Sequence, residues 1–268
     1  MTALKHPAHN LLDRPDGFRI EVDATRERAD IILDRPPLNV VSMEERDQLR
    51  AAFEALDADE RVRVIVLRGA GEHFSSGGDI AGFLAASPEQ VSQLAFNVAA
   101  PERCAKPVIA ANRGYTFGVG FELSLACDFR IASDTARYAL PEQRLGQIPG
   151  SGGSARLQKM IGIARTKDIV LRSRRIDARE AFAWGIVVQC VADSELERAT
   201  DALVDELRTF SPLAQRTAKR LLNDGENAPL SVAIEMEGHC YSRLRTSDDF
   251  REGVTAFKEK RKARFRGT

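Results

Sequence analysis

Over the first two-thirds of the chain, apolar residues fall in short blocks between polar turns; beyond that they recur at helical spacing. Phe18–Val22 and Ala29–Leu33 read as strands joined by the polar turn Thr25–Arg28. Pro36 and Pro37 end the second strand. Ser42 with Glu45 three residues on is a capping-box signature, and Leu49, Ala52, Phe53 and Leu56 follow at helical period. Val62–Leu67 and Pro107–Ala111 have the character of strands buried on both faces. A helix is expected over Pro88–Ala100 and a short one over Phe121–Ala126, with strands at Asp128–Ala132, Ala136–Leu140 and Ile186–Val191. Further helices begin at Gly152–Ser154 and end at Gly185, and after Ser194 only helix signals remain. Alternating strands and helices define an α/β core over residues 1–195, followed by a helical region over 196–268. Apolar tail positions, among them Leu203, Leu207, Leu213, Leu221, Leu222, Val232, Ile234, Val254 and Phe257, need a covering surface. Either the core or a neighbouring subunit supplies it.

Charge narrows the function. Lys+Arg and Asp+Glu both total 39, so the chain lacks the basic excess of a nucleic-acid binder. No apolar run approaches the roughly 20 residues that span a bilayer. Met1–Phe18 has no apolar stretch of signal-peptide type. Cys104, Cys127, Cys190 and Cys240 are scattered without a C-x-x-C pair, which reads as reduced thiols and a cytoplasmic setting. His6, His9, His73 and His239 lack metal-ligand spacing and read as structural or solvated, so no metal is expected. Phe83, Phe96, Phe117 and Trp184 read as core.

The candidate chemistry lies in three glycine-marked segments. Ser75-Ser-Gly-Gly-Asp79 follows a strand, and Asp79 is placed to cap a short helix after it. Gly118-Val-Gly-Phe-Glu122 opens a helix, where free amides face any bound group and stabilise a developing oxyanion. Tyr138-Ala-Leu-Pro-Glu142 holds a second carboxylate in a rigid turn, followed by Gly146-Gln-Ile-Pro-Gly-Ser-Gly-Gly153. Two carboxylates beside amide-rich turns suit proton transfer next to a polarised carbonyl. Competing motifs fail: Leu123 stands where a dinucleotide fingerprint needs glycine, no Walker lysine follows a glycine turn, and Gly150–Ser154 is not a nucleophile elbow. The basic run Lys258–Arg266 reads as a solvated helix end or a phosphate contact.

Phe74-Ser-Ser-Gly-Gly-Asp-Ile80, Lys106–Asn112, Gly118–Leu123, Cys127-Asp128, Pro141-Glu142 with Gly146–Gly153, and Ala256–Arg261 together resemble the enoyl-CoA hydratase/isomerase (crotonase) superfamily. The resemblance implies a spiral of ββα units with a helical C-terminal region that packs on core and neighbours, building trimers or hexamers. It implies an acyl-CoA thioester as substrate, with coenzyme A part of that substrate and no separate cofactor. Backbone N–H groups of Gly78 and Val119 would form the oxyanion hole, valine standing where the family usually has glycine. Coenzyme A contacts are implied at Pro37, Leu38 and Asn39, with Pro37 replacing the usual alanine. Further substrate contacts are implied at Ser76, Asp79, Ile80, Gly118, Pro141, Gly150 and Gly153, and Lys258 and Lys260 are candidates for the phosphates. Hydratases of the family keep glutamate at both acid positions, here Glu122 and Glu142, whereas isomerases commonly keep only the second. The pair therefore implies water addition to a 2-enoyl-CoA; isomerisation, another acyl-CoA lyase or hydrolase reaction, and a non-enzymatic acyl-CoA binder are the alternatives.

Overall fold

The computed structural model describes residues 15–268; the readings made on His6, His9 and the first fourteen residues lie outside them. Its strands are β1 (Phe18–Asp23), β2 (Arg28–Leu33), β3 (Val64–Gly69), β4 (Val108–Asn112), β5 (Tyr115–Phe117), β6 (Phe129–Ser133), β7 (Arg137–Ala139), β8 (Ile176–Asp177) and β9 (Gln189–Val191). One sheet runs β1-β2-β3-β4-β6-β9, antiparallel between β1 and β2 and parallel from β2 onward. A second, smaller sheet runs β5-β7-β8. The parallel strands β3 and β4 are apolar in their buried residues, Asn112 at the end of β4 excepted, because helices cover both faces.

One face packs on the Met43–Ala58 helix through Leu49, Ala52, Phe53 and Leu56, the residues whose spacing marks it. Both halves of its capping box form: the Glu45 N–H donates to Ser42 Oγ at 3.0 Å and the Ser42 N–H to Glu45 Oε2 at 3.3 Å. On the other face, Val64, Val66, Ile109, Ala111 and Ile131 meet Leu196, Val204 and Leu207 of the Leu196–Leu207 helix. The first helix of the tail is thus a layer of the core sheet. The Pro212–Gly225 and Leu230–Leu244 helices pack on each other beyond it.

Several sequence expectations are corrected. The helix over 88–100 is three short pieces, Pro88–Ser92, Leu94–Val98 and Ala100–Arg103, because Gln93 and Ala99 each end one segment and begin the next. β5 and β8 were not expected. The last strand is limited to Gln189–Val191, while Ile186 and Val187 are buried in the loop before it. Phe96 is exposed beneath the Arg103 guanidinium, and Phe83 borders solvent beneath Arg46, so neither is core. His73 is structural: its ring stacks on Tyr115 at 4.3 Å and its Nδ1 accepts the Tyr115 N–H. Among the described residues, no helix is long and apolar enough to cross a membrane.

Candidate active site

Two backbone segments meet at the ends of the parallel strands. Val41 bridges Gly78: its N–H donates to Gly77 O at 2.9 Å and its carbonyl accepts from the Asp79 N–H at 3.0 Å. In that geometry the N–H of Gly78 itself faces away from Val41. Ser75 bridges Thr116 in turn, accepting from the Phe117 N–H at 3.0 Å. This draws the Ser75–Asp79 turn against the Phe117–Gly118 turn that opens the Val119–Ala126 helix. Gly118 sits at φ 51° and ψ −127°, a conformation restricted to glycine, and it leaves Val119 at the helix start with an N–H that has no intrahelical acceptor. A Cβ on Gly120 would lie 2.7 Å from the Ser75 Cβ, so the missing side chain is what lets helix and turn touch. The N–H groups of Gly78 and Val119 therefore sit on adjoining turns.

Glu122, 3 % exposed, lies in the first turn of that helix. Its Oε1 accepts the Ser151 N–H at 2.7 Å and the Gly153 N–H at 3.1 Å. A Cβ on Gly153 would lie 3.1 Å from that oxygen, which explains the glycine. Burial raises the pKa of Glu122, opposed by the two amides and the Arg46 charge. Glu142 is delivered by the small sheet: β5 and β7 pair in parallel, and the Gly118 N–H donates to Ala139 O at 3.0 Å. Three residues on, Glu142 opens a 3₁₀ turn over Gly118, whose Cβ position lies 3.3 Å from Glu142 Oε1. Its Oε2 is buried with no hydrogen-bond partner among the described residues. Burial first, and the Glu122 charge after it, push its pKa up to about 7.

The remaining predicted residues divide. Leu38 flanks the oxyanion turn, its carbonyl accepting the Ser76 N–H at 2.9 Å, with Pro37 exposed before it. Asn39 is a brace: its side chain accepts from the Arg35 N–H and donates to Ala70 O and His73 O, which uses both of its N–H groups. Asp79 caps the Ile80–Ala85 helix through the Ala81 N–H at 3.1 Å, and Ile80 is exposed. Pro141 and Gly150 border the glutamates, Gly150 with open space where a Cβ would be. Lys258 and Lys260 lie exposed at the end of the Asp248–Glu259 helix, and no ion pair links them to the site among the described residues. One residue at the site escaped sequence reading: Arg46, on the Met43–Ala58 helix, is 3 % exposed and abuts Gly78. A charged residue early in an amphipathic helix reads as solvated face.

The mixed sheet, the adjoining amide-bearing turns and the two buried carboxylates belong to a crotonase-type fold. Residues 26–268 match the enoyl-CoA hydratase/isomerase family model, and the chain belongs to that family. It is 38 % identical over 249 residues to a probable enoyl-CoA hydratase of Rhizobium meliloti, covering 88 % of this chain and 93 % of that one. It is 35 % identical over 254 residues to the carnitinyl-CoA dehydratase of Proteus mirabilis, covering 89 % and 94 %. The crystal structure of an enoyl-CoA hydratase subunit from Geobacillus kaustophilus superposes with a TM-score of 0.89 at 35 % identity, covering 94 % of this chain and 99 % of that one.

Proposed function

We propose that this protein is an enoyl-CoA hydratase, adding water reversibly across the C2=C3 bond of a 2-enoyl-CoA thioester. The observation that carries the reading is the pair Glu122 and Glu142, both weakened as acids by burial and close enough for the Glu122 charge to act on Glu142, beside the Gly78 and Val119 turns. The thioester oxygen accepts from both N–H groups, which withdraws electron density from the double bond and makes C3 electrophilic. Water between the carboxylates loses a proton to Glu122 as its oxygen bonds to C3. The electron pair of the double bond passes into an enolate, and Glu142 then gives its proton to C2. Proton exchange between the two acids resets the site.

The environments support this division. Two amides and a guanidinium favour ionised Glu122, while Glu142 has only its own backbone in its favour and the Glu122 charge against it. Coenzyme A enters as part of the substrate, with Lys258 and Lys260 as proposed phosphate contacts. The outward apolar residues of the tail, Leu230 at 76 % and Phe257 at 85 % exposure, support assembly with further copies of the chain as a trimer or hexamer.

The decisive experiment incubates the protein with 2-butenoyl-CoA in heavy-oxygen water. The expected product is a 3-hydroxyacyl-CoA carrying one labelled oxygen. An unlabelled thioester with a displaced double bond would establish isomerisation and overturn the reading.

A further inference from the structure

Gly78 does not need to be glycine to donate its N–H, and its φ is not in the left-handed region. Space is the reason. A Cβ there would lie 2.6 Å from Arg46 Nη2 and 2.9 Å from Phe83 Cε2. The volume a side chain would fill is occupied by a guanidinium, held 4.9 Å from the centre of the Phe83 ring. By covalent geometry, Nη2 is within about 5 Å of the Gly78 nitrogen.

Arg46 is also unusual in what it lacks. Its Nε is buried with no hydrogen-bond partner, and no ion pair reaches the guanidinium among the described residues. The carboxylate next to it in sequence, Glu45, is bound instead to Ser42 and Arg35. Glu122 is the group whose charge most favours the Arg46 cation, yet its Oε1 is taken by two amides. A guanidinium stays protonated, so a desolvated cation with unused donors persists beside the oxyanion turn. An acceptor that gains negative charge only during reaction suits it, because such a charge is stabilised in the transition state more than in the ground state.

We propose that Arg46 is a third, charged element of the oxyanion site, placed to oppose the negative charge that develops on the thioester oxygen at Gly78 and Val119. The proposal rests on that oxyanion hole and not on water addition, so it applies equally if the enolate is reprotonated without hydration. Residue 78 and residue 46 then form one device: the glycine supplies a neutral donor and vacates the space for the cation.

Ligand binding tests this independently of turnover. A 3-oxobutanoyl-CoA binds as its enolate by losing the C2 proton to solvent, whereas saturated butanoyl-CoA carries no charge on the thioester oxygen. Dissociation constants for both are measured by calorimetry for wild type, Arg46→Met and Arg46→Lys, with the enolate absorbance followed against pH. Arg46→Met is expected to weaken the 3-oxo ligand by about 10–100-fold, the scale of one Coulomb interaction at such separations. Butanoyl-CoA should change by less than about threefold on the same reasoning. Arg46→Lys should recover part of the loss, and the bound 3-oxo ligand should ionise at higher pH in the Met variant. Should Arg46→Met not fold, Arg46→Gln, which keeps donors without charge, takes its place. Equal losses for the two ligands, or no loss for either, overturn the proposal. A wild type that binds neither thioester would overturn the acyl-CoA reading itself, a distinct result.

Discussion

Replacing Glu122 with glutamine isolates the charge of the base from its placement. The Glu122 Oε1 accepts two backbone N–H groups, and a glutamine carbonyl in the same position keeps both. What is lost is the ability to take a proton from water. General-base contributions run to about 10²–10⁴-fold, or roughly 3–5 kcal/mol of activation energy. The fold should tolerate the change, because burial already disfavours the ionised carboxylate. The thermal midpoint is expected to move by no more than a few degrees, equivalent to about 1 kcal/mol in a chain of this size. The assay follows loss of the enoyl-thioester absorbance of 2-butenoyl-CoA across pH. Wild-type rate should fall at low pH as Glu122 gains a proton. It should fall again above about 7 as Glu142 loses the one it donates. Glu122→Gln should lack the acidic limb and keep the alkaline one; Glu142→Gln should do the reverse. A Glu122→Gln enzyme within tenfold of wild type would refute the reasoning, as would loss of the alkaline limb alone, which would exchange the roles.

Other perturbations test the frame around the site. Gly120→Ala puts a methyl 2.7 Å from the Ser75 Cβ, forcing helix and turn apart; overpacking should cost about 1–3 kcal/mol by denaturant titration, and displaced oxyanion donors should lower kcat on the order of 10-fold or more. Lys219→Met removes a buried ammonium that donates to Pro101 O, Lys106 O and Asp128 Oδ2; leaving Asp128 unpaired should destabilise by about 3–5 kcal/mol, with partial recovery on adding Asp128→Asn. Burial raises Glu45 from 4.5 to about 7, so the native state holds a proton that the unfolded chain releases across that window. Stability should therefore fall as pH rises through it, by roughly 3 kcal/mol in total, and Glu45→Gln should flatten the profile seen in urea unfolding.

How far the sequence discloses this molecule depends on the range of the forces involved. The Ser42–Glu45 cap and the Leu49–Leu56 stripe are set within one helix, so their spacing suffices. β3 and β4 are legible because burial on both faces demands an uninterrupted apolar run. β5 and β8, of three and two residues, are too short for any periodicity. They exist because Thr116 meets Ser75 and because Tyr138 pairs with Ile176, contacts remote in sequence. That small sheet is nevertheless what swings Glu142 over Gly118. The glutamates were thus visible as residue types, while the contacts that bring both of them to the Gly118 turn were not. Asn39 and Asp79 show the converse: polar residues at motif positions whose side chains are occupied in holding turns.

Arg46 marks the sharper limit. Its neighbours Glu45 and Asp47 and its place in a first turn fit a solvated helix face, whereas Gly78 and the Phe83 ring, both remote in sequence, lie against its guanidinium. A glycine beside it could have been the clue. Gly77 has φ 119° and needs its freedom; Gly78 does not, so a glycine there requires a neighbour in the space it leaves. In a sequence, two adjacent glycines are indistinguishable. In the structure, one is there for its backbone and the other for the cation beside it, and the second reason is tied to charge developing on a ligand.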